Sequence, residues 1–143
     1  MRDIVYEIKN LVPESVIISV KDDLTITEDI DTEVDRAASH FGFYAVLAEK
    51  AETRYQKMKF AFDQWKAQVE SAEIMTRARE GKKPFTEAQM KAHVQSQPKY
   101  KAFQIRLIEF DEQRRIVKVV AKAFELKKDL VQTKSSNRRK ESR

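Results

Sequence analysis

The side chains best placed to do chemistry in this sequence are cations. Lys57, Lys59, Lys66, Arg77, Arg79, Lys82 and Lys83 fall within one stretch, and Lys91, Lys99 and Lys101 follow it. On a helix turning about 100° per residue, Lys59, Lys66 and Arg77 lie within about 20° of one another. Such a surface can track phosphates, displacing their counterions, with an affinity that falls as salt rises. Phe60 and Phe85 stand beside it, and single-strand binders stack bases on aromatic rings. The lysines equally suit a solubilising helix face, and the two phenylalanines suit packing against another segment.

Other chemistries lack their parts. The chain has no cysteine and two histidines, His40 and His93, far apart in sequence. Neither histidine sits in the Glu-x-x-His spacing of a carboxylate-bridged metal site. No glycine-rich loop precedes a helix, so there is no phosphate loop and no dinucleotide fingerprint. No serine has an evident base. Carboxylates such as Glu49 and Glu52 read as solvated partners of Lys50 and Arg54. The expectation is a protein that is not an enzyme and holds no cofactor or metal.

Charge adds a direction. The net charge is +5 over 143 residues, but residues 1–53 carry five basic against twelve acidic side chains, and residues 54–143 carry twenty-three against eleven. A basic region of that kind is the footprint of a polyanion partner, most often nucleic acid.

The elements that must position these cations are helices. Only 2 Gly and 3 Pro interrupt a chain that is 36% charged, a composition of long helices with few turns. From 30 to 76 one apolar seam runs through Ile30, Val34, Ala37, Phe41, Tyr44, Ala48, Ala51, Tyr55, Met58, Phe62, Trp65, Val69 and Ala72. Gaps of four and three alternate without a slip, which predicts a helix about 70 Å long that buries one stripe against other helices. Asp29 or Thr27 can cap its start. Gly81 and Pro84 end it. Thr86 and Gln89 form a capping box that opens a short helix over 87–95. Pro98 opens the last helix, to about 133.

That last helix has two apolar stripes. Phe103, Leu107, Phe110, Val117, Ala121, Phe124 and Val131 make one; Ile105, Ile108, Ile116, Val119, Ala123, Leu126 and Leu130 make the other. One partner helix covers only one of them, so the second predicts a subunit interface. Phe103, Ile105, Leu107, Ile108, Ile116, Val119, Val120, Phe124, Leu126 and Leu130 are its candidate residues.

Before the long helix, residues 3–11 suit a short amphipathic helix or an extended segment. The β-branched runs 16–20 and 24–27, separated by Lys21, Asp22 and Asp23, suit a small hairpin. Residues 134–143 are polar and basic and read as a disordered tail. The fold expected is therefore mainly α: a long antiparallel helical hairpin over 29–133, an N-terminal extension over 1–28 with a small β-hairpin or extended segment, and oligomerisation through the C-terminal helix. No apolar run approaches the roughly 20 residues of a membrane span, and the acidic N-terminus does not look like a secretory signal. A cytoplasmic location without membrane contact is expected.

With its acidic helix start, Tyr44-x-x-Leu47-x-x-Lys50-Ala51-Glu52, Tyr55-x-x-Met58-Lys59, and the turn followed by Thr86-Glu87 and Pro98-x-Tyr100, the chain resembles the UvsY-like recombination mediators of T-even-type phages. The resemblance covers residues 29–130 and leaves the N-terminal extension and the basic tail outside it. It implies a small helical protein that forms a ring-like homo-oligomer through its C-terminal region and binds single-stranded DNA. It also implies help in loading a RecA-like recombinase onto strands covered by single-strand-binding protein, in the host cell cytoplasm. The family's DNA-contacting helix stretch corresponds to residues 55–67, so Lys57, Lys59 and Lys66 carry over. Arg77, Arg79, Lys82 and Lys83 are added from charge alone.

Overall fold

A computed structural model of the chain describes residues 5–9, 11, 16–19, 24–25 and 29–142. Its elements are β1 (Val5–Ile8), β2 (Val16–Ser19), α1 (Ile30–Arg79), α2 (Glu87–Gln95) and α3 (Pro98–Glu141). The fold is mainly α, and the two long helices, α1 and α3, pack against each other. Among the described residues, no helix is long and apolar enough to cross a membrane. The chain forms two compact units. Unit 1 comprises Met1–Glu52 and Glu112–Arg143, and unit 2 comprises Thr53–Asp111.

The helix boundaries follow local chemistry. Asp29 caps α1: the Thr32 amide and hydroxyl donate to its carboxylate at 3.3 and 2.7 Å. Those bonds hold the Asp29 carboxyl below its ordinary range. At the other end Gly81 takes φ +68, a conformation that costs only glycine little. The Lys82 amide donates to the Arg77 carbonyl at 2.9 Å and the Gly81 amide to the Ala78 carbonyl at 3.3 Å, which together make a Schellman stop. Both halves of the capping box form at α2: the Gln89 amide donates to the Thr86 hydroxyl, and the Thr86 amide to the Gln89 side chain.

In unit 1, Tyr44 stacks on Phe124 with centroids 4.4 Å apart, and His40 meets the same ring edge-on at 5.5 Å. Leu47, Ala51, Val117, Val120 and Ala121 complete this core, together with Ile8 from β1. The buried line on α1 is Glu33, Ala37, Tyr44, Leu47 and Ala51. It shares Ala37, Tyr44 and Ala51 with the seam read from sequence. Val34, Phe41 and Ala48, expected inside, are its half-buried flanks. Glu33 is inside because it has a partner. Its carboxylate lies 3.3 Å from the ammonium of Lys127, both side chains at 3% exposure or less. Lys127 also donates to the Thr25 carbonyl, and Arg36 lies 3.6 Å from Glu33.

Three expectations are corrected here. The partner of the 16–19 strand is β1, in antiparallel register from Val5 opposite Ser19 to Ile8 opposite Val16. The expected second strand fails where it is described: Leu24 is helical, and residues 21–23 and 26–28 lie outside the described residues. The cause is burial with a period of two: Ile8 is buried, Tyr6 half-buried and Glu7 exposed. The third correction is the tail, which does not stand apart from α3. The helix continues to Glu141, with Ser135 buried. Arg138 and Arg139 line one groove with Asp31 and Asp35 of the α1 start, so opposite charges and opposite helix-dipole ends meet there.

Removing one partner of the buried pair strands the other charge in the core. Glu33→Ala is expected to lower unfolding free energy by about 3–5 kcal/mol, and a paired Glu33→Leu/Lys127→Leu change by much less. Urea denaturation of the single and double variants checks this. A double variant as unstable as the single one would contradict it.

Candidate nucleic-acid interface

The unit boundary changes how the charge is read. Unit 1 contains sixteen basic and sixteen acidic residues, and unit 2 contains twelve basic and seven acidic. The whole net charge of +5 therefore sits in unit 2. The basic C-terminal third, which looked like polyanion surface in sequence, is balanced within unit 1 by the acidic N-terminal third. Glu52 illustrates this: it pairs with Arg114 at 2.9 Å.

Within unit 2 the sequence-derived cations separate into three kinds. Lys57, Lys59, Lys66, Arg79 and Lys83 are exposed, with no ion-pair partner among the described residues. Lys82 is held by Glu80 at 2.9 Å; the Lys82 contact keeps the Glu80 carboxyl below its ordinary range. Arg77 is fastened in place, its Nε donating to the Lys83 carbonyl at 2.7 Å and its guanidinium 4.0 Å over Phe85. Lys59, Lys66 and Arg77 share a side of α1, but Lys57, two residues from Lys59, lies about 160° around the helix from it. The flank is also not purely basic. Asp63 and Glu70 each follow a lysine by four residues, and Glu73 lies 3.5 Å from His93.

The two off-seam phenylalanines behave differently. Phe85 packs between Arg77 and His93, the latter ring 5.8 Å away. Phe60 is 63% exposed, against the expectation that it packs. Phe62, Trp65, Tyr100 and Phe103 form the ring cluster of this unit.

Sequence reasoning missed a cleft. The α1 end, the turn, α2 and the α3 start enclose about 680 Å³, walled by Phe62, Ile74, Phe85, Met90, Val94 and Tyr100, with Lys66 and Lys91 on its lining. Its signal in the sequence is the Met90–Val94 pair, four residues apart on a helix of only nine. A helix that short stays folded by resting one apolar face on something else.

The expected interface residues on α3 also divide. Phe103 and Leu107 are half-buried, and Val120 and Phe124 are buried. Phe124 and Val120 belong to the unit 1 core, so they are already spent inside one chain. Val119 at 70% exposure, with Leu126 and Leu130, stays exposed in unit 1, as do Ile105 and Ile108 at 66% in unit 2. Ile116 and Ala123 are half-buried beside them. Val119, Ala123, Leu126 and Leu130 follow one another at gaps of four and three as a second helix seam on α3, and Ile116, three residues before Val119, joins that seam to the core it packs against.

Glu80 tests the electrostatics. Because its folded pKa is depressed, the pair with Lys82 persists at neutral pH and is lost only as pH falls through the acid range. Glu80→Gln releases Lys82 at neutral pH, and binding of an anionic polymer should tighten with a steeper salt dependence, read by fluorescence anisotropy. An unchanged salt slope would remove Lys82 from the interface. Compared with family models, with curated proteins and with solved structures, the chain matches none.

Proposed function

We propose that this is a non-enzymatic, oligomeric protein that binds single-stranded DNA and acts in the cytoplasm as a recombination mediator. The observation that carries the DNA-binding part is the concentration of the entire net charge in unit 2, where Lys59, Lys66, Arg79 and Lys83 are exposed without ion-pair partners among the described residues. Loading of a RecA-like recombinase onto strands covered by single-strand-binding protein rests on the resemblance of residues 29–130 to the UvsY-like mediators. The oligomer rests on the exposed α3 seam. Apolar side chains at heptad spacing on a solvent face are stabilised by a matching helix. A few phosphate contacts per chain bind weakly, and repetition around a closed assembly multiplies them.

A second reading is a structural protein whose exposed α3 seam packs on a different protein. Val119, Leu126 and Leu130 favour it as much as they favour self-assembly, but it leaves the charge of unit 2 without a role.

Binding of a labelled single strand at two salt concentrations separates the readings. Replacing Lys59 and Lys66 together by Ala should weaken binding and flatten the salt dependence by about 0.7 per lost phosphate contact. No binding at low salt would sink the DNA reading. Val119→Glu with Leu126→Glu should leave the helical circular dichroism intact and reduce the particle to a monomer in light scattering. A wild-type protein that is already monomeric would remove the assembly.

A further inference from the structure

The cleft of unit 2 has a shape that phosphate binding does not require. A surface that only neutralises a backbone needs exposed cations. This one has a recess of about 680 Å³ between them, within the range of sites that enclose small organic groups. Much of its lining is apolar, including the aromatic residues Phe62, Phe85 and Tyr100. Phe85 is fixed in position by Arg77, whose side chain is itself tied to the Lys83 carbonyl. Hydrogen-bonding groups line the same recess: the amides of Gln95 and Gln104 and the carboxylates of Glu70 and Glu87. Lys66 and Lys91 are on its lining, both exposed and without an ion-pair partner among the described residues.

We infer that this cleft seats unstacked bases of a single strand, with Lys66 and Lys91 on the flanking phosphates. The inference rests on the DNA-binding reading above and deepens it by naming what is recognised. Each part of the cleft has a counterpart in a nucleotide. A base has a flat π-face for the apolar walls. Its edge carries amines that carboxylates accept from, and donor–acceptor pairs that Gln amides match. Its phosphates lie outside the base, where the lysines are. An acidic peptide fits less well, because Glu70 and Glu87 stand in the wall it would enter. A duplex fits less well still, because its bases stay stacked and paired. The cleft thus supplies a preference for single strands that a charged helix face alone lacks.

The test compares two oligonucleotides of equal length and phosphate number, a thymidine oligomer and one made entirely of abasic sites, by anisotropy at low salt. The abasic strand should bind at least about fivefold more weakly, since base–aromatic stacking contributes about 1–3 kcal/mol per base. Ile74→Trp, at a lining position more than half exposed, narrows the cleft without changing charge. It should bring the thymidine strand down to abasic affinity and leave the melting temperature unchanged. Equal binding of both strands by the wild type would overturn the cleft while the phosphate reading stands. Absence of binding to either strand would overturn both. If an acidic peptide ending in an aromatic residue binds, and Ile74→Trp blocks the peptide but not the thymidine strand, the cleft is a protein site and the inference is wrong.

Discussion

Two helices in contact along their lengths cover one face of each. α1 and α3 have 50 and 44 residues, and each has more apolar surface than one such contact can hide. In unit 1 the covered faces meet at the Tyr44–Phe124 stack, and β1 adds Ile8 to the same core. What is left over includes the outer α3 seam through Val119, Leu126 and Leu130, with Phe43 and Val46 exposed on α1. That leftover surface is a consequence of the architecture. A shorter apolar arc on α3 would have closed the structure; the second arc leaves it open to a partner.

The same limit explains where charge is placed. Unit 1 has no net charge, and its opposite charges meet across the two helices: Glu52 with Arg114, Glu33 with Lys127, and the Asp31–Asp35 start beside Arg138 and Arg139. Exposed pairs of this kind add little stability singly. The buried one is different. Desolvating Glu33 and Lys127 costs about as much as their attraction returns, so the pair is better understood as setting register than as adding stability. A slip of one helix past the other would leave two bare charges in an apolar core. An apolar seam with a constant repeat is poor at preventing such slips.

Much of this was legible in the sequence. The start and end of α2, the glycine stop after α1 and the proline start of α3 are local chemistry, and local chemistry is what caps and turns depend on. The polar members of the buried lines were not legible. A search for apolar spacing discards Glu33, Gln113 and Lys127, and takes Val34 in place of Glu33. Only the partner across the core shows why a carboxylate is inside. The β1 strand was legible in principle, since Ile4, Tyr6 and Ile8 alternate, but β-branched residues drew attention to 24–27 instead. The end of α3 was misread because composition describes an isolated tail. Arg138 and Arg139 meet their acidic neighbours a hundred residues away in sequence.

The candidate interface was half legible for the same reason. Lysines announce themselves in a sequence, but whether they are spent does not. Folding the chain cancels the C-terminal cations against the N-terminal acids and leaves those of unit 2 uncancelled. It also brings Lys66 and Lys91, 25 residues apart, onto the lining of one recess. A recess between two cations differs physically from a row of cations. A row attracts any polyanion in proportion to charge density, so duplex DNA, the denser polymer, would be favoured. A recess reverses that order only if something from the strand enters it, and in a duplex the bases are already committed to one another. On the reading proposed above, selectivity for single strands comes from the apolar side chains that α1, the turn, α2 and α3 bring to the recess, while the lysines supply attraction.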